Sequence, residues 1–254
     1  VTNSTNTLPN DIWVPSTKRV KPQIGYQYSL GFFKNFNDNK IETSIEVYYR
    51  SLFNQIEYRD SYIPQLQRDV ERDFVFGYGE SFGVEFFINK KFGRLTGWIG
   101  YTLSKTTRIF DDLQTRVFPY KFDRRHDLSV VASYKLNERW QFGATFVYGS
   151  GNATTVPERW YILGGVINYE YGERNSYRMP AYHRLDVSAT LQGKANKKFE
   201  SYWVFAIYNV YSRLNPYFIY FDNEGQVFEG ELEINAKQVS LFPIIPSVSW
   251  NFKF

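Results

Sequence analysis

Period-two alternation, the length of the segments that carry it, and connections that alternate short and long predict an all-β fold. The form they point to is an antiparallel up-and-down transmembrane β-barrel. Alternation is plainest in Ile41-Glu42-Thr43-Ser44-Ile45-Glu46-Val47-Tyr48-Tyr49-Arg50, where one parity is mostly apolar and the other mostly charged or polar. It returns in Leu185-Asp186-Val187-Ser188-Ala189-Thr190-Leu191-Gln192 and in Val248-Ser249-Trp250-Asn251-Phe252-Lys253-Phe254. Such segments are strands with one greasy and one wet face. No stretch carries a capped 3.6-residue period. The 254 residues include 21 Tyr, 23 Phe and 6 Trp against one Met, an aromatic load better suited to strands than to helix interiors.

Turn signals divide the chain into nine strands, taken here in order. The first, 22–36, closes on Asn37-Asp38-Asn39, and the second, 40–59, opens into the long connection Asp60–Arg72. The third, 73–90, turns through Lys90–Gly93; the fourth, 93–110, gives on to Asp111–Lys121. Strand 122–136 turns at Leu136–Arg139, and strand 139–152 leads into Ala153–Met179. Strand 180–192 turns over Gly193–Phe199, strand 200–221 leads to a connection from Asp222 to about Glu231, and 232–254 ends the chain. Most of these exceed the common strand length of about 5–6 residues. Tight turns at one end and long loops at the other are what a barrel crossing an outer membrane has, since every backbone group in hydrocarbon must be paired within a closed sheet. An outward apolar row and a wet inward row also reconcile a membrane protein with a mean hydropathy of −0.44. Aromatic residues near strand ends, as in Tyr217-Phe218-Ile219-Tyr220-Phe221 and Trp140-Gln141-Phe142, are expected to form interfacial girdles.

Several classes fall away. Without cysteine there is neither a disulfide scaffold nor a thiolate metal site, and two histidines leave little for zinc or His-based catalysis. No cofactor is implied. The net charge of +4 is spread along the chain, so no basic arm points to nucleic acid. If short turns are periplasmic, the first strand runs downward, residues 1–21 are extracellular, and the ninth strand ends at Phe254 in the periplasm. An odd strand count beginning outside cannot be a whole barrel of this kind. The expectation is therefore the C-terminal portion of a larger barrel. A start at Val1, with neither initiator Met nor signal peptide, fits a processed chain or a fragment. Phe254, Phe252, Trp250 and Val248 form one apolar row on the last strand, an amphipathic edge able to add to another sheet.

Particular runs resemble the barrels of TonB-dependent outer-membrane receptors, most of all those of the Bacteroidetes type. They are Gly100-Tyr101-Thr102-Leu103-Ser104-Lys105-Thr106, then Phe118-Pro119-Tyr120-Lys121-Phe122-Asp123-Arg124-Arg125-His126-Asp127-Leu128, and Phe142 to Gly151. Leu8–Pro15, Tyr134–Asn137 and Tyr208–Pro216 look similar. The resemblance implies a 22-stranded barrel around an N-terminal plug, with these residues as about its last nine strands. It implies uptake of a scarce ligand, driven by the TonB–ExbB–ExbD complex through a box before the plug; neither plug nor box occurs in these residues. A terminal Phe254 is similar to the signal read by the barrel-assembly machinery, with Phe252 and Trp250 in the same row. Outer-membrane lipids are then neighbours, and a surface lipoprotein lid is a further partner in some relatives.

The polar cluster Asp123-Arg124-Arg125-His126-Asp127 could be read as a His–Asp catalytic pair, but parity argues otherwise. His126 shares the face of Leu128, Val130 and Ala132, while Arg125 and Asp127 lie on the opposite face with Ser129. His183 likewise sits with Leu185, and Arg184 and Asp186 point the other way. Arg125, Asp127, Arg184 and Asp186 are therefore expected to form a lumen network, and no triad is available for nucleophilic catalysis. Ligand contact is expected from the long loop 153–179 through Arg159, Trp160, Tyr161, Tyr169, Tyr171 and Arg174, with Trp13 and the Asp60–Arg72 loop on the same rim. The alternative for that loop is a lid packed on its neighbours. Glycines in Gly77-Tyr78-Gly79 and Gly149-Ser150-Gly151 lack the following helix of a phosphate loop and suit crowding or bulges in a curved sheet. The expected function is an active transporter without covalent chemistry. The rivals are a passive porin-like channel, a small outer-membrane barrel enzyme that would need residues 1–21 as a tenth strand, and a soluble β-rich binding protein.

Overall fold

In the computed structural model the described residues are 15–59, 70–193, 199–224 and 233–253. Trp13, Phe254 and most of the Asp60–Arg72 connection lie outside them. Among the described residues the strands are β1 (Ile24–Phe36), β2 (Ile41–Tyr58), β3 (Phe74–Lys90), β4 (Leu95–Phe110), β5 (Gln114–Pro119), β6 (His126–Lys135), β7 (Trp140–Gly149) and β8 (Ala153–Thr154). They continue with β9 (Pro157–Leu163), β10 (Val166–Tyr171), β11 (Tyr177–Arg178), β12 (Tyr182–Gln192), β13 (Glu200–Tyr208), β14 (Pro216–Glu224), β15 (Glu233–Ser240) and β16 (Ile245–Lys253). A single 3-10 turn, Val70–Asp73, precedes β3.

Nine strands make one antiparallel wall in the order β1-β2-β3-β4-β6-β7-β12-β13-β16, with β5 added on β4. Register carries each face of the alternation from strand to strand. Phe32 stands opposite Ile45, which continues to Phe86, Tyr101, Leu128, Tyr148 and His183. One residue away, Gly31, Glu46, Glu85, Thr102, Asp127, Gly149 and Tyr182 make the adjacent row on the opposite face. A one-residue slip anywhere would exchange these rows, so the apolar pattern fixes the pairing. The apolar face is bare: Leu30 is 75% exposed, Phe32 66% and Val248 62%. A patch of that extent on a water-facing surface would drive association. Here it is the side that meets hydrocarbon.

Buried apolar residues gather instead at the end of the wall that carries the long connections. Val20, Tyr58 and Phe74 form one cluster; Val75, Phe110 and Phe118 form another. Between them the top of β2 carries a bulge, with the register shifting between Leu52 and Gln55 and Asn54 at a φ of 54°. Across the bulge, a Cβ on Gly77 would lie 2.1 Å from the Ile109 carbonyl oxygen, and one on Gly79 2.4 Å from the Arg108 guanidinium. At Gly77 the backbone of the neighbouring strand leaves no room for a side chain, whereas at Gly79 the space is taken by the Arg108 side chain.

The last two expected strands need correction. β13 stops at Tyr208 rather than 221, and β16 begins at Ile245 rather than 232. Between them β14 and β15 pair only with each other, as a hairpin off the main sheet. The aromatic run Tyr217–Phe221 therefore lies on that hairpin and forms no part of a girdle in the wall. Trp140 and Phe142 do lie in the wall, stacked with ring centroids 6.0 Å apart. The fifth wall strand, β6, starts at His126 rather than 122, because Tyr120–Asp123 makes a turn closed by the Asp123 amide donating to the Tyr120 carbonyl at 2.8 Å.

Candidate functional site at the extracellular rim

Long connections at this end are themselves built of strands. In the loop after β7, β8 pairs with β11 to form a root, and β9 pairs with β10 to form a hairpin above it. That hairpin turns on Gly164 and Gly165, whose φ values of 62° and 80° suit a two-residue turn of the kind whose twist matches the strands. Opposite pairs are Trp160 with Tyr169, Tyr161 with Asn168, and Arg159 with Glu170. Trp160, Tyr161 and Tyr171 are 45%, 51% and 40% exposed. Burial and then the nearby Tyr169 hydroxyl raise the Tyr171 phenol above its ordinary pKa, so it stays a neutral hydrogen-bond donor.

The two off-wall hairpins meet. The ring of Tyr169 lies 6.3 Å from Phe221 on β14 and 6.5 Å from Tyr171. Tyr217 and Tyr220 on β14 are also exposed. Hairpins that belong to different loops are therefore joined by an aromatic contact. Lys237 and Asp222 brace the second hairpin at 2.7 Å.

Arg174, expected to face ligand, is 7% exposed and serves the root. Its guanidinium lies 3.7 Å from Glu57 and donates to the Tyr58 carbonyl at 2.8 Å, tying the loop to β2 across the sheet. Beside it the Asn175 side chain donates to the Pro119 carbonyl at 2.8 Å. Arg178 donates to the Asp123 carboxylate at 2.6 Å. That carboxylate is 1% exposed, also accepts the Thr106 amide at 2.6 Å, and has Arg125 at 3.5 Å. The root is thus a packed strap, and the hairpin is the part left open to solvent.

The four residues expected to share a lumen network divide between separate clusters. Arg125 belongs with Asp123, and Asp127 pairs with Arg124 at 3.4 Å. Arg184 and Asp186 do pair, at 2.9 Å. The Arg184 guanidinium also donates to the Tyr182 and Tyr208 hydroxyls, each at 2.7 Å, and lies 4.1 Å from the Tyr208 ring centroid. His126 and His183 sit on the apolar face with tyrosine hydroxyls as partners, Tyr101 at 2.7 Å and Tyr211 at 2.8 Å. At the other end of the wall Trp250 lies 6.0 Å from Trp203 and 4.8 Å from Phe252, an aromatic cluster on the exposed edge of β16.

Sequence reasoning missed Asp123 as a hub, and it missed Asn209, Arg213 and Asn215. Asn209 is fully buried, with a φ of 54°, and ends β13. Its side-chain amide donates to the Arg213 and Phe242 carbonyls at 2.9 and 3.1 Å. Asn215 bonds both backbone groups of His183, accepting from the amide at 3.0 Å and donating to the carbonyl at 2.9 Å. The available signal was asparagine, a residue that tolerates positive φ, interrupting an apolar run.

A nine-strand antiparallel wall with an apolar outside has few homes. A family model described as TonB dependent receptor-like, beta-barrel matches residues 2–211. The chain belongs to that family. Its members are outer-membrane proteins of Gram-negative bacteria, so the bare apolar face of this receptor barrel meets that bilayer. Among solved structures, the ferripyoverdine receptor of Pseudomonas aeruginosa bound to ferripyoverdine superposes with a TM-score of 0.57 at 15% identity, over 92% of this chain and 27% of its own. The unliganded ferric citrate transporter FecA gives 0.56 at 13% identity, over 91% and 31%. The ferric-catecholate import receptor Fiu of E. coli gives 0.51 at 12%, over 96% and 29%. At these identities the likeness is one of fold, and the chain spans less than a third of the length of these receptors. No curated protein sequence matches it.

Proposed function

We propose that this chain is the C-terminal part of an active outer-membrane receptor, of the Bacteroidetes type, that captures a scarce ligand at its rim and passes it through a plugged barrel. Siderophore, vitamin, glycan and peptide all suit such a receptor. TonB with ExbB and ExbD drives the step, and the barrel-assembly machinery reads the end carrying Trp250, Phe252 and Phe254. Outer-membrane lipids surround the wall, and a surface lipoprotein covers the rim. The proposed chemistry is binding and transport, with no bond made or broken. The supporting observation is the meeting of the two ring-bearing hairpins: Trp160 stands opposite Tyr169 on the face of β9–β10 that reaches Phe221, Tyr161 is exposed on the other face, and the root below is pinned. Ring faces held this way suit sugar, aryl and apolar surfaces, and Arg159 beside them suits an anionic group.

Uptake by cells carrying the intact receptor tests the reading. The panel of probes comprises ferric citrate, ferripyoverdine, cobalamin, oligosaccharides and short peptides. At least one is expected to be taken up in a TonB-dependent way, and Trp160→Ala should weaken its binding about tenfold, equivalent to ~1.4 kcal/mol. Uptake that persists without TonB would instead establish the passive channel.

A further inference from the structure

The β14–β15 hairpin is held to the wall at its base. Both feet of that hairpin meet one side chain. The outgoing foot is 209–215 and the returning foot is 241–244, and the Asn209 amide spans them through the Arg213 and Phe242 carbonyls. The Arg213 amide returns a bond to the Asn209 side chain at 3.1 Å, and the Ser212 hydroxyl accepts from the Ile244 amide at 3.4 Å. Asn209 is itself fixed from below, its backbone amide donating to the Asp186 carboxylate at 2.9 Å. The same Asp186 oxygen, Oδ1, takes the Arg184 Nε proton at 3.0 Å. Arg184 is oriented in turn by the Tyr208 ring, on the residue just before Asn209.

We infer that Asp186 and Asn209 are positioning residues that form one strut. The strut sets β14–β15 against β9–β10 and makes the polar face of the wall and the hairpin pair a single mechanical unit. A buried, fully bonded side chain with positive φ keeps its place only while its surroundings hold it. Here the surroundings include a lumen ion pair. Disturbing Arg184 from the lumen therefore loosens a hairpin it does not touch, and a change at the lumen wall reaches the rim through Asp186. This inference deepens the reading of the hairpin pair as the capture site, but its test needs no ligand, so either can fail alone.

In the intact receptor, spin labels at Leu163→Cys on β9 and Ala236→Cys on β15 read the separation of the hairpins by double electron–electron resonance. A narrow distance distribution is expected in the parent. Arg184→Gln and Asn209→Gly should each broaden it and move it to longer distance, while Ser188→Ala on the same strand leaves it unchanged. Glycine at 209 keeps the left-handed backbone and deletes only the amide. Heat-modifiable migration confirms that each barrel is folded. An unchanged distribution in folded Arg184→Gln or folded Asn209→Gly overturns the strut. Should Asn209→Gly fail to fold, Arg184→Gln alone decides.

Discussion

Asp123→Ala is expected to destabilise the extracellular face by about 3 kcal/mol, the low end of the range for a broken buried ion pair. The low end applies because the carboxylate is 1% exposed but its partner Arg178 is 34% exposed and can turn to water. The substitution removes the acceptor of the Thr106 amide and the carboxylate partner of Arg178, which keeps only the Asp123 and Gly151 carbonyls. The strap then loses the anchor that joins the loop root to β4. Trypsin added to intact cells should cut between Ala153 and Arg178 in the variant and leave the parent whole. Asp123→Asn keeps an acceptor for Thr106 and should fall between them. A strap equally resistant in Asp123→Ala would show that Arg174 and Asn175 hold it unaided.

A larger structural consequence attaches to the apolar face. Val130 lies in the row running Ile99, Val130, Phe146 and Leu185. Its neighbour Val131 shares the other face with Trp98, Thr145 and Asp186. Val130→Arg should cost about 2–4 kcal/mol if the row sits near the bilayer midplane, where a cation on the lipid face is most expensive. Val131→Arg, facing the wet side, should cost far less. Equilibrium unfolding of the receptor from liposomes measures both. Equal costs would contradict the assignment of faces.

Much of the wall was legible because its rule is local. Each residue of β2 declares its face by parity, and hydrocarbon on one side enforces that parity along the strand. Where the rule fails, the cause is non-local. The run from Tyr217 to Phe221 looks the same in a membrane strand and in an off-wall hairpin, and only Asn209 and Asn215-Pro216 before it mark a break. What ends β13 is Asn209, held by Asp186 and Phe242, residues distant in sequence whose approach no pattern announces. The rim shows the same limit. Exposed rings at Trp160 and Tyr161 could be anticipated from composition, because a long aromatic loop must put them somewhere. Arg174 could not be separated from them, because its partners Glu57 and Tyr58 belong to a strand more than a hundred residues earlier. Asp123 was visible as part of a charged cluster, but its role depends on Arg178, across the intervening strand and loop.

Lipid is expected to bathe the face of Leu128, Val130, Ala132 and Tyr134 while water reaches that of Ser129, Val131 and Ser133. The most direct measurement places a spin label at each of residues 128–134 in turn, in receptor reconstituted into liposomes, and compares relaxation by oxygen with relaxation by a water-soluble nickel complex. Even positions should respond to oxygen and odd positions to nickel, with a period of two. Even positions shielded from both reagents, with odd positions open to water, would mean that these side chains meet in a dry interior and that the wall is no membrane barrel.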